Sequence, residues 1–208
     1  MGENKIDLVD DRFVFFFFFG MLDNKNLVNI KEKKKIVLVK IDWNENVDFF
    51  IKAIDRLFEN NIKFCVLVEI TNKNCIYLEE IVEFLKNKNC KNIIFSMANN
   101  PEDMIKFSDV KGVLEDILNN TEFKLNVSGV PFCFLENNRD HMASIVGKGI
   151  KLPRCENCEF GSLCLGVDKK YINKYGDDEI VPIVKLNGKI GNAREKINED
   201  SLIYVSDD

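Results

Sequence analysis

Three cysteines fall within ten residues, as Cys155-Glu-Asn-Cys158 and, after five intervening residues, Cys164. Thiolates three positions apart can face one metal across a tight turn, and a third can return within a short loop. Three sulfurs leave a tetrahedral ion or a cubane one ligand short. Cys133, in Gly129-Val-Pro-Phe-Cys-Phe134, is the natural fourth, and the 21 residues before Cys155 let the chain come back to it. Cys65, Cys75 and Cys90 have no clustered partners and read as small buried hydrophobes. A four-thiolate set serves zinc and iron–sulfur clusters alike, and spacing leaves both open.

The remaining candidates are weaker. His141 is the only histidine, and its Asn-Asn-Arg-Asp-His setting reads as a solvated loop. Ser144 lies three residues on, with no ordered Asp partner and no nucleophile elbow. Asp42 and Glu69 end two apolar runs, where functional carboxylates, helix caps and solvated ends all occur. No P-loop, dinucleotide fingerprint or metalloprotease helix is present.

The elements that must position the cysteines alternate strand and helix. Ile36–Ile41 is a short, β-branched, nearly continuous apolar run, of the kind that forms a parallel strand buried on both faces. Residues 64–68, 92–95 and 123–127 repeat it. Between the runs, Phe50, Ala53, Ile54 and Leu57 fall on one helical face, as do Leu78, Ile81, Val82 and Leu85. Val110, Val113, Leu114, Ile117 and Leu118 form a third face, with Ser108 as its expected N-cap. Repeats of about thirty residues predict βα units feeding a parallel sheet. Right-handed crossovers then bring every strand's C-terminal end, and Cys133, to one rim.

The fold class is therefore α/β. Four clear units are half of a closed barrel, which takes about 250 residues, so a partial parallel βα barrel is expected over residues 35–135. Residues 1–34 form a leader whose phenylalanine run, Phe13–Phe19, can add a strand and cover an exposed edge. Residues 136–208 form an irregular Cys-rich tail with little apolar periodicity before Ile180, for which the cysteines are the obvious source of order. An open sheet edge invites a second half-barrel or another copy of the chain.

Composition narrows the partners. Twenty-nine Lys+Arg against 34 Asp+Glu leave a net charge of −5, which gives no reason to expect nucleic acid. No run approaches the ~18 apolar residues of a membrane span, and the phenylalanine run lacks the flanks of a secretory signal. A reducing cytoplasm is the expected compartment, where clustered thiols point to metal before disulfide.

The tail resembles a known family. Cys155-Glu-Asn-Cys158, Cys164-Leu-Gly166, Tyr171-Ile-Asn-Lys-Tyr175-Gly176-Asp-Asp-Glu179 and Pro182 are similar to the C-terminal region of radical S-adenosylmethionine proteins with a SPASM- or twitch-like auxiliary cluster extension. Gly129-Val-Pro131 with Cys133 resembles the end of their last barrel strand. The resemblance spans roughly residues 35–183. It implies that Cys133, Cys155, Cys158 and Cys164 hold an auxiliary 4Fe-4S cluster, with zinc as the alternative. The C-x3-C-x2-C triad of the family's catalytic cluster does not occur in this sequence. Full protein ligation leaves no open iron site, so this chain alone is not expected to cleave S-adenosylmethionine. That cofactor would enter only with an N-terminal half supplied from elsewhere.

Overall fold

The computed structural model describes residues 13–16, 36–41, 43, 47–120, 124–135, 137–142, 149–162 and 164–184. Five strands form one parallel sheet in the order β1 (Phe13–Phe16), β2 (Ile36–Ile41), β3 (Phe64–Ile70), β4 (Asn92–Met97), β5 (Lys124–Ser128). Neighbours in the sheet are neighbours in the chain. Each strand pairs in parallel with the next, from Phe13 opposite Ile36 to Ser96 opposite Ser128. Three helices, α1 (Val47–Glu59), α2 (Leu78–Asn87) and α3 (Phe107–Asn120), connect β2 to β5, and a fourth, α4 (Lys169–Tyr175), lies in the tail. The phenylalanine run thus supplies the edge strand through Phe16. Residues 17–19, like Asp42 and Ser144, lie outside the described residues.

All three crossover helices cover one face of the sheet. The apolar stripe Phe50, Ala53, Ile54, Leu57 of α1 and the stripes of α2 and α3 share one core cluster with Val37, Val39, Ile41, Val66, Val68, Ile70, Ile93 and Phe95. This follows from uniform handedness: parallel strands laid down in order, each joined by the same right-handed crossover, put every helix on the same side. Burial on that face is nearly complete.

The other face differs from the expectation of apolar strands on both sides. Among the described residues, its fully buried apolar side chains form a small separate cluster, Leu38, Cys65 and Ile94. Around it the alternating positions are half-buried Lys40, Leu67, Glu69, Ser96 and Asn126, and buried Ser128. In register, Glu69 lies opposite Ser96, and Ser96 opposite Ser128, so a polar row crosses the C-terminal end of this face. Lys40 and Glu69 form an ion pair at 2.6 Å.

Two local expectations are corrected. Ser108 is not the N-cap of α3, which starts one residue earlier; the first N–H groups of α3 are bonded by tail side chains. The tail is also not short of hydrophobic anchoring. Phe160, Val167, Tyr171 and Ile180 are 3, 2, 3 and 1% exposed and belong to the main core. Their spacing follows loop geometry and so shows no period. Among the described residues, no helix is long and apolar enough to cross a membrane.

Candidate metal centre

The first thiol is placed by the end of β5. Gly129, at φ +80°, turns the chain against Met97, where a Cβ would stand 3.3 Å from the Met97 backbone nitrogen. A turn follows, closed by the Phe134 N–H donating to the Pro131 carbonyl at 2.9 Å. Phe132 and Phe134, each 6% exposed, are anchored in the core on either side of half-buried Cys133.

The other three thiols sit on a chain that turns back on itself. Cys155 lies in a 3-10 turn, Pro153–Asn157, and Cys158 ends it. The Cys158 N–H donates to the Cys155 carbonyl at 3.0 Å, Gly161 to Cys158 at 3.0 Å, and Cys164 to Phe160 at 2.7 Å. Phe160 stacks on Phe132 with centroids 5.7 Å apart and rings within 12° of parallel, which fixes the cysteine turn against the Cys133 segment. Beyond Cys164, Gly166 adopts φ +89° beside the antiparallel bridge of Ile150 and Val167. A Cβ on Gly166 would stand 2.4 Å from the Ile150 carbonyl oxygen, and one on Gly149 2.6 Å from the Val167 nitrogen. The same conformation aims the Gly166 N–H at Cys164 Sγ, 3.3 Å away.

Cys133, Cys155, Cys158 and Cys164 line one cavity of about 20 Å³, with apolar walls from Pro131, Phe132, Ile150, Val167, Ile180 and Pro182 among others. All four thiols are free and partly buried. Burial pushes the Cys133 thiol up to about 11, and the sulfurs of Cys164, Cys158 and Cys155 push it the same way. Burial and the neighbouring sulfurs therefore disfavour the Cys133 thiolate unless it shares a cation. Among the described residues, no group of three or more His, Cys, Asp or Glu side chains is arranged to hold a metal ion as it stands. The four thiols share a cavity without forming a finished coordination shell. As a donor set they fit soft-metal chemistry, and a bound iron–sulfur cluster or zinc ion would be held by Cys133, Cys155, Cys158 and Cys164. Cys65 and Cys90 are buried elsewhere, and Cys90 is pushed up to about 12 by burial despite nearby Lys88.

The other candidates have partners within the protein where they are described. His141 is half-buried rather than solvated: its Nδ1 lies 2.8 Å from the Leu125 carbonyl, so the proton sits on Nδ1 and donates. With Met142 bridging Val127 in parallel, this segment covers part of the free edge of β5. Glu69 is paired with Lys40 on the polar face. Asn74, 6% exposed, accepts from the Thr71 N–H and donates to the Glu69 carbonyl, both at 2.8 Å, closing the loop after β3.

What sequence reasoning missed is how the tail holds the rim. Tyr171 Oη accepts from the Phe107 N–H at 2.8 Å and donates to Glu179 Oε2, while Glu179 Oε1 accepts from the Ser108 N–H at 2.9 Å. Two orphan donors at the start of α3 are thus satisfied by side chains 64 and 71 residues later. The Tyr171 ring stacks on Phe107 at 3.8 Å. Burial would raise the Glu179 carboxyl, but the hydrogen bonds from Tyr171 and Ser108 outweigh it and hold Glu179 below the usual carboxylate range. Tyr171 and Tyr175, one helical turn apart on a short polar helix, were the available signal. No family model, curated protein or solved structure matches the chain.

Proposed function

We propose that this chain is an iron–sulfur protein related to radical S-adenosylmethionine enzymes, in which Cys133, Cys155, Cys158 and Cys164 hold an auxiliary 4Fe-4S cluster. The observation that carries the reading is the meeting of one rim cysteine and three tail cysteines on a single apolar cavity. Cys133 lies 22 to 31 positions before the other three in sequence, and no secondary-structure rule alone would bring it to them. The resemblance of the tail motifs selects iron–sulfur within the chemistry the donors allow.

The body of the chain supports a partial barrel. A doubly wound sheet reverses its strand order and carries helices on both faces. Here the order never reverses, and the crossover helices pack into one face. The opposite face carries Lys40, Glu69, Ser96, Asn126 and Ser128, as a barrel wall turned toward a polar interior would. A completing half would come from another chain or another copy, meeting the arc at a sheet edge.

The cluster's role is electron transfer or added stability of a segment that apolar contacts already anchor. Four protein thiolates leave no open iron for a substrate or for S-adenosylmethionine, and the chain has no C-x3-C-x2-C triad. The activity of the whole assembly would need that triad from elsewhere.

A zinc staple is the second reading. It is favoured by the donor set, because four cysteines on one cavity match a common structural zinc ligand set. Anaerobic expression, followed by absorption spectroscopy with iron, sulfide and zinc analysis, separates the two. A brown protein with a broad band near ~400 nm and about four irons per chain is expected. A colourless protein with one zinc moves the assignment to the staple, and a protein that takes up neither metal ends both.

A further inference from the structure

The cysteine turn does more than line a cavity: it pins both ends of the segment that holds the rim. At one end, Cys164 leads directly into the Gly166 turn and the Ile150–Val167 bridge. At the other, Cys158 pairs with Val184, and the Glu159 N–H donates to the Ile183 carbonyl at 2.8 Å. Residues 165–183 are therefore a loop closed on the thiol-bearing turn. Its middle carries α4, and that helix grips the loop that leaves the C-terminal end of β4. Tyr175 Oη donates to the Met104 carbonyl at 2.6 Å, Lys174 Nζ to the Pro101 carbonyl at 2.6 Å, and Lys170 Nζ to the Asn99 carbonyl at 3.2 Å. Tyr171 and Glu179 then cap α3 where that loop ends.

The loop so held borders the site of ligand approach expected of a parallel sheet, since it follows the C-terminal end of a central strand. It is also tied to its neighbour: Lys73 Nζ bonds Asp103 Oδ1 at 2.8 Å, and the Asn72 N–H donates to the Asp103 carbonyl at 2.9 Å. Order at α4 is thus passed to two adjacent rim loops.

We infer that metal occupancy at Cys133, Cys155, Cys158 and Cys164 is thermodynamically linked to closure of the β4–α3 rim loop, residues 98–106, through the 165–183 clamp. The inference rests on the metal reading above. Drawing the four sulfurs onto one centre fixes both ends of a loop of about nineteen residues and so reduces the entropy cost of docking its middle. The coupling is reciprocal: closure strengthens metal binding by the same factor by which bound metal favours closure. In this device the metal sets how often the β4–α3 loop opens, without touching that loop.

Hydrogen exchange on the full chain, reduced and metal-free or loaded with one equivalent of Zn²⁺, tests it. The Phe107 and Ser108 amides, whose acceptors are Tyr171 and Glu179, are expected to exchange at least about tenfold more slowly when zinc is bound. Amides of α1 are expected to be unchanged, and Cys158→Ala is expected to abolish the difference. In the reverse direction, Tyr175→Phe is expected to weaken Zn²⁺ binding about fivefold at unchanged stoichiometry. Stoichiometric zinc with unaltered exchange at Phe107 and Ser108, or with Tyr175→Phe binding as the parent does, overturns the linkage and leaves the metal reading standing. Failure to bind zinc, and iron with sulfide as well, overturns the metal reading and the linkage together.

Discussion

Removing one oxygen tests the clamp most directly. In Tyr171→Phe the ring keeps its stack on Phe107, centroids 3.8 Å apart, and no cavity larger than a hydroxyl is left. Two hydrogen bonds are lost: the one accepted from the Phe107 N–H and the one donated to Glu179. Phe107 is 2% exposed, so its N–H, at the start of α3, is left buried without a partner. Such a group costs about 1–3 kcal/mol. Glu179 keeps the Ser108 N–H and is half-exposed, so water replaces much of its lost bond. The expected loss is about 2 kcal/mol, read as a shift in urea midpoint at unchanged m-value. At roughly 2–4 °C per kcal/mol for a chain of this size, the melting temperature falls by about 4–8 °C. Both proteins are compared in the same metal state. A double-mutant cycle with Glu179→Gln is expected to show coupling above about 0.5 kcal/mol, because the two side chains act as one unit. A Tyr171→Phe variant as stable as the parent, with no coupling to Glu179, would refute the argument that the tail caps α3.

Four other outcomes follow from the geometry. Cys133→Ser is expected to weaken Zn²⁺ binding about 100- to 1,000-fold, on a quarter share of the roughly 10–16 kcal/mol of a four-ligand site, whereas Cys75→Ser, outside the cavity, leaves a competitive chelator titration unchanged. Gly166→Ala would place a Cβ 2.4 Å from the Ile150 oxygen at φ +89°, so metal retention and melting temperature should both fall, by more than for an alanine at Gly176, where nothing lies within 4 Å. Because the folded-state value of Glu179 is depressed, its contribution is complete above the ordinary Glu value of about 4.3 and is lost as pH falls through the lower folded value; Glu179→Gln should flatten that part of the acid limb in a stability–pH series. Stripping metal with a chelator should leave the far-ultraviolet circular dichroism of the α/β body intact, with a lower but still cooperative melt; a fully unfolded apo-protein would show that the tail depends on metal for its fold.

How much was legible in the sequence depended on whether the deciding contacts were local. The stripe Phe50, Ala53, Ile54 and Leu57 is buried residue for residue, because a 3.6-residue period and a single packed face leave no other solution. Val82 and Val113, on the edges of their stripes, are half-buried. Strands β3 and β4 run two residues past their apolar runs, to Ile70 and Met97, since Glu69 and Ser96 face the polar side and interrupt the run without ending the pairing. Ser108 was misread for a different reason: a local capping rule cannot see an acceptor 71 residues away. His141 was misread likewise, its partner being a strand-edge carbonyl 16 residues back. That Cys133 and the three tail cysteines meet on one cavity was legible because it needs only one return of the chain.

The tail changes what metal would be for. Had the 149–184 region lacked apolar contacts, a bound centre would have had to fold it, as in domains that are unfolded without zinc. Instead Phe160, Val167, Tyr171 and Ile180 are each at most 3% exposed, and burying side chains of this kind is worth about 1.5–3 kcal/mol apiece. The Phe132–Phe160 stack already holds the cysteine turn against the end of β5. The thiols are thus brought to one cavity by packing and not by coordination. A centre bound there would add its stabilisation to a segment that Phe160, Val167, Tyr171 and Ile180 already dock. Its structural effect would then fall on the least buried link, the exposed lysine contacts between α4 and the β4–α3 loop, and so on the rim, where a parallel sheet meets its ligands.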